Sequence, residues 1–318
     1  MIAAALLSVL IAQAPTASPA AMAGDAAFAR GDFQTAFTDY NDAIIKNPFD
    51  GEAVLGLGTL DLYRNDWQNA RTYLNRAHHL LPGDERVIAR LRVLRQRLPK
   101  PGHYAFDLVN ARADIPFVTI DPVPVVKATI GMTTLSLVVD TSSGSVELTP
   151  AAARSIGVAD GGLIPSLSMP NLIVRNVPLT VRNRPFTTGV HVDGAIGTVF
   201  LSHFLPTFDY AHNRLILRRW EASPSLDASF VQTGAKIERM WLVGDRLLVA
   251  SGRIAGSTPA LFAVLTGDAA AITVPAPAAF AAPSPDVPFE IGGTLGNGFF
   301  RSATLTLDFA SMKMIVSR

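Results

Sequence analysis

The chain has 318 residues, of which 49% are hydrophobic and 17% charged, a composition that fills large cores and excludes a disordered polymer. Lys plus Arg number 27 and Asp plus Glu 26, for a net charge of +1, so no global field gathers nucleic acid or anionic membrane. Cysteine is absent, which removes disulfides, thiol nucleophiles and cysteine-ligated metals.

At the N-terminus, residues 2–12 form an apolar run broken only by Ser8. It falls short of the about 20 residues that span a bilayer. Ala12-Gln13-Ala14 before Pro15 has the small-x-small form of a cleavage site, so residues 1–14 read as a signal peptide and the chain as exported. The n-region carries no Lys or Arg, which keeps a short N-terminal membrane anchor as the alternative. Residues 15–24 read as a small-residue tether.

A period of 34 residues follows. Gly31-Asp32-Phe33 repeats as Asn65-Asp66-Trp67, Ala36 as Ala70, Tyr40 as Leu74, Ala43 as Ala77 and Pro48 as Pro82. Alanines at these positions let antiparallel helices approach, an aromatic fills the gap, and the proline follows the second helix. Residues 25–98 therefore resemble tetratricopeptide repeats, two units and a further helix from Asp84 to Leu98, and form a candidate protein-interaction surface. Gly56 and Gly58 permit tight packing, and the arginines of the last helix, Arg86 to Arg97, read as its solvated side.

After a linker at 99–105 the periodicity becomes strand-like. Ile115–Ile120, Val123–Ile130 and Leu135–Val139 read as strands, the last a continuous apolar run that ends on Asp140-Thr141-Ser142-Ser143-Gly144-Ser145. Taken alone, such an Asp caps its own turn. Downstream stand Gly194-Ala195-Ile196-Gly197, a short helix around Phe200, Thr207-Phe208-Asp209-Tyr210, and a strand at Arg214–Arg218.

The order then recurs. The apolar strand Ala260–Val264 leads to Leu265-Thr266-Gly267-Asp268, then Leu295-Gly296-Asn297-Gly298-Phe299 and Thr306-Leu307-Asp308-Phe309. Leu265 falls on Asp140, Thr266 on Thr141, Gly296 on Gly197 and Pro275 on Pro150. The offset drops from 125 residues at the Asp140 loop to 99 at the glycine strand, so the second copy lacks about 26 residues.

Together these motifs resemble the retropepsin-like aspartic peptidases in a tandem, pepsin-like arrangement, and with the helical repeats they are similar to exported bacterial aspartyl-protease-like proteins. The resemblance implies a multidomain chain: a helical array followed by an all-β, two-lobed acid-protease fold, lobe 1 at 106–222 and a degenerate lobe 2 at 230–318, exported to the periplasm or beyond the cell. It implies Asp140 as the catalytic-type carboxylate, Thr141 and Thr266 as cross-links beneath the loops, and Ser142, Gly144, Gly197 and Gly296 as loop support. The substrate or ligand it implies is an extended polypeptide.

The family's chemistry needs two carboxylates sharing one proton, and Leu265 supplies none. Four readings stay open: Asp268 reaches Asp140 and the chain is an endopeptidase; two chains pair as a homodimer and join two Asp140 side chains; the cleft binds peptide without cutting it; or the domain is structural. No metal or other cofactor is expected, because the six histidines show no ligand spacing, and no Gly-x-Ser-x-Gly elbow or phosphate loop appears.

Overall fold

In a computed structural model of the protein, the described residues are 17–186, 188–223, 234–253, 259–276 and 287–317. Residues 1–14, read as a signal peptide, lie outside them. Five helices come first: α1 (Pro19–Ala29), α2 (Phe33–Lys46), α3 (Gly51–Tyr63), α4 (Trp67–Leu80) and α5 (Glu85–Arg97). Asp32, Asp50, Asp66 and Asp84 cap α2 to α5 through side-chain bonds to backbone N–H groups, which satisfies donors that the helix leaves open. The segment expected as a tether is corrected: it is helical from Pro19, because Ser18 caps the N-terminus and proline at the first position loses no helical bond. Among the described residues no helix is long and apolar enough to cross a membrane.

Ala36, Tyr40 and Ala43 are buried on α2, and Ala70, Leu74 and Ala77 on α4. Gly56 and Gly58 of α3 lie where a Cβ would fall 2.4 Å from Tyr40 and 2.9 Å from Leu74. The arginines of α5 are not all solvated: Arg97 donates to the carbonyls of Leu62, Leu242 and Gly244, and so ties the helices to the β body.

The remaining chain is a β body in three sheets. Its first half contains β1 (Ala105–Leu108), β2 (Arg112–Thr119), β3 (Val125–Ile130), β4 (Thr133–Val139), β5 (Val146–Leu148), α6 (Pro150–Ser155), β6 (Leu163–Met169), β7 (Leu172–Val181), β8 (Gly194–Ile196), α7 (Thr198–Leu201), β9 (Leu205–Asp209) and β10 (Arg214–Arg218). Strands β3, β4, β8, β5, β7 and β6 pair in that order, and β6 returns to β3, closing a barrel. Closure leaves these strands no open edge and encloses a continuous core.

The second half contains β11 (Lys236–Val243), β12 (Leu247–Gly252), β13 (Ala260–Leu265), β14 (Ile272–Thr273), β15 (Gly293–Gly296), α8 (Asn297–Phe300), β16 (Thr304–Asp308) and β17 (Lys313–Ser317). Here β11, β12, β13, β15 and β14 form an open sheet. A third sheet, ordered β2-β10-β9-β16-β17-β11, joins the halves. At its centre Thr207 pairs with Thr306, their hydroxyls 2.8 Å apart. Between β14 and β15 the described residues hold no counterpart of α6 or of the β6–β7 hairpin.

The helices pack on the second half through one apolar cluster that includes Phe28, Phe33, Tyr63, Trp241 and Phe289. The rings of Phe33 and Trp241 meet edge to face at 5.2 Å, and those of Phe33 and Phe289 at 5.0 Å, a favourable geometry for aromatic pairs.

Candidate active-site loops

Two loops meet between the halves. β4 runs parallel to β8 with Val139 opposite Ile196, and its exit carries Asp140. β13 runs parallel to β15 with Val264 opposite Leu295, and its exit carries Thr266. Thr141 N donates to Thr266 Oγ1 at 3.1 Å, and Thr141 Oγ1 donates to the Val264 carbonyl at 2.6 Å. In return Thr266 N donates to Thr141 Oγ1 at 3.0 Å, and Thr266 Oγ1 donates to the Val139 carbonyl at 2.7 Å. Each hydroxyl donates once and accepts once, and both residues are wholly buried, so the set is satisfied without water.

Asp140 is fully buried. Oδ1 accepts from Ser142 N at 2.8 Å, the Ser142 hydroxyl lies 2.8 Å from both carboxylate oxygens, and Ser143 Oγ donates to Oδ2 at 2.9 Å. The Arg184 guanidinium forms an ion pair with Oδ2 at 2.7 Å. It also donates to the Ser142 and Ser143 hydroxyls and lies 4.9 Å over the Phe186 ring. On the far loop, a Cβ on Gly267 would fall 2.4 Å from Asp140 Cγ, so the carboxyl group packs against bare backbone. Ser142 is thus a carboxylate partner as well as the loop support expected of it.

Leu265 is buried within the cluster that also holds Trp241, Leu247 and Phe289. The Asp268 carboxylate accepts from Ala270 N and caps its own turn, so the reading in which it reaches Asp140 is corrected. Among the described residues, Asp140 has no bond to another carboxyl group.

Gly197 and Gly296 each begin a short helix behind a loop. A Cβ at either would lie 2.2 Å from a loop carbonyl, Gly144 O or Ala270 O, a distance that only glycine permits. Gly144 differs: a Cβ there would meet Asp245 Oδ2 at an ordinary 3.5 Å, so the space at that position does not demand glycine. The second loop is also one residue longer. Val146 and Ile272 take the same register opposite Ile196 and Leu295, an offset of 272 − 146 = 126, which sets Pro275 on Thr149 and not on Pro150.

Asp209 accepts from His212 and Arg214 and Asp308 from Ala310 and Ser311, so both carboxylates fasten turns, whereas Asp193 accepts from Ser136 N and ties β4 to the segment before β8. Among the described residues, no three His, Cys, Asp or Glu side chains gather as metal ligands. Arg184 and Gly267 escaped the sequence reading. The signal for Gly267 was present, since Leu-Thr-Gly keeps a glycine where the first loop has Ser142; nothing local marks Arg184 among 27 cations.

The chain is similar to the solved structure of a retropepsin-like aspartic protease from Rickettsia conorii, at 16% identity and a TM-score of 0.27, over 36% of this chain and 94% of that one. No protein-family model matches it. No curated protein matches it.

Proposed function

We propose that the chain is a peptidase-derived protein that holds extended polypeptide without hydrolysing it. The observation that carries this reading is the fully buried Asp140 carboxylate paired with the half-buried Arg184 guanidinium. A general base needs access to water and an acid partner; here a guanidinium covers the carboxylate and Leu265 stands where the partner would be. In this reading the two β halves are lobes of a tandem acid-protease fold. Its support is reciprocity: Thr141 and Thr266 exchange equivalent bonds, and Thr207 pairs with Thr306, as a pseudo-dyad requires. The helices are tetratricopeptide-like repeats, which the matched burial at the 34-residue spacing supports, and they offer a second protein-binding surface.

The test is incubation of the full chain with denatured casein between pH 3 and pH 7, beside Asp140→Asn, with binding followed by fluorescence anisotropy. Binding without cleavage by both proteins is the expected result. Cleavage by the native chain that disappears in Asp140→Asn overturns the non-hydrolytic reading, and absence of binding overturns the polypeptide reading. A Leu265→Asp, Arg184→Ala double variant that gains cleavage supports the two-lobed frame. Export to the periplasm or the medium belongs to the same proposal; cell fractionation with N-terminal sequencing checks it, and a cytoplasmic chain starting at Met1 refutes it.

A further inference from the structure

Behind the first loop lies a cavity of about 310 Å³ where three parts of the chain meet: the end of α5, the first β half, and the β11–β12 turn. Two ionisable side chains in its wall keep an open hydrogen-bonding atom. Glu147 is 5% exposed; its Oε1 faces Gly144 N at 3.5 Å and Arg182 Nη1 at 3.9 Å, while Oε2 is buried without a partner among the described residues. Arg97 spends its terminal nitrogens on three carbonyls, while Nε is buried without a partner among the described residues. A buried acceptor and a buried donor left open in one wall mark a place where proteins hold a polar guest.

Charge narrows the guest. Lys100, Arg182 and Arg246 line the cavity beside Arg97, against Glu147 and Asp245. Asp245 is already paired with Arg246 at 3.2 Å, and Arg182 keeps 45% of its side chain exposed. The surplus is positive, and the open acceptor beside it belongs to Glu147.

We infer that this cavity binds a carboxylate that carries a neighbouring N–H, the chemistry shared by a peptide C-terminus and a free amino acid. Arg182 and Lys100 take the carboxylate, and Glu147 takes the N–H. The site stands apart from Asp140 and holds whether or not the loops between the halves receive polypeptide.

Calorimetric titration of the full chain with acetyl-Ala-Ala, its C-terminal amide, alanine and acetate tests it. Acetyl-Ala-Ala or alanine is expected to bind, and conversion of acetyl-Ala-Ala to its amide to weaken that ligand at least about ten-fold, the scale of one charged hydrogen bond. A tighter acetyl-Ala-Ala assigns the site to peptide ends, and a tighter alanine assigns it to free amino acids. Arg182→Gln, on an exposed side chain, and Glu147→Gln are each expected to weaken binding while circular dichroism stays unchanged. The inference is overturned if acetyl-Ala-Ala binds and its amide binds as tightly, if acetate alone binds as tightly as the better ligand, if Arg182→Gln binds as the native chain does, or if neither acetyl-Ala-Ala nor alanine binds up to about 10 mM.

Discussion

Thr141 and Thr266, 125 positions apart, hold each other by the same two bonds run in opposite directions, N–H to hydroxyl and hydroxyl to the carbonyl before the partner's loop. Thr266→Val keeps the shape but strands Thr141 N and the Val139 carbonyl in a fully buried site. The expected loss is about 2–4 kcal/mol, since each buried unmatched polar group costs about 1–3. Thr266→Ser keeps the hydroxyl and should stay within about 1 kcal/mol of the native chain. Urea unfolding midpoints decide; equal losses for Val and Ser would show that packing, not the bonds, joins the loops.

Gly267 and Gly144 lie in matched loops yet should respond differently. Gly267→Ala drives a Cβ onto the Asp140 carboxyl group, which either shifts the loop or breaks the Arg184 pair, at about 2–4 kcal/mol for overpacking at a buried charged site. Gly144→Ala meets only ordinary contact and should change stability by less than about 0.5 kcal/mol. Thermal denaturation of both variants checks the contrast, and a silent Gly267→Ala would mean that Asp140 does not pack on the opposite loop.

These two glycines also show what the sequence made legible. The 34-residue and 125-residue spacings are carried by residue types that packing demands, small on a close helix contact and a hydroxyl on a buried loop, and such demands survive in a bare sequence. The helix at Pro19 was signalled by Ser18-Pro19 but hidden within an alanine-rich stretch that resembles a tether. Arg184 was not legible, because its link to Asp140 depends on the path of the chain after β7 and not on any local pattern. Arg97 sits on a helix face that reads as solvated until the β11–β12 turn is packed against it. The extra residue of the second loop was masked by the equal spacing of the loop starts.

The helices and the β body should unfold together. Phe33 packs on Phe28 within the helices and on Trp241 and Phe289 of the second β half. Phe33→Ala removes a buried ring from the centre of that joint and should cost about 3–5 kcal/mol. Calorimetry of the native chain should show one transition, and Phe33→Ala should lower it. A native chain with two separate transitions would mean that the shared cluster does not couple the parts.

His203 sets a pH dependence whose sign follows from its surroundings. Its ring lies 4.0 Å from the Tyr104 ring, and burial pulls its pKa down to about 4, below the about 6.5 of an unfolded histidine. Between those values the unfolded chain takes a proton that the folded chain refuses, so stability falls as pH drops from about 6.5 toward 4 and the loss levels off below that. The linkage amounts to roughly 2–4 kcal/mol at full extent. Burial raises the carboxyl pKa values of Asp25 and Asp61 and works in the opposite direction, but those groups are common to the native chain and to a His203→Phe variant. The difference between the two chains therefore isolates His203. Urea unfolding of both at pH 7, 5.5 and 4 should show the variant gaining on the native chain at each acid step. Parallel curves across that range would place the His203 ring in contact with water and remove its part in the acid response.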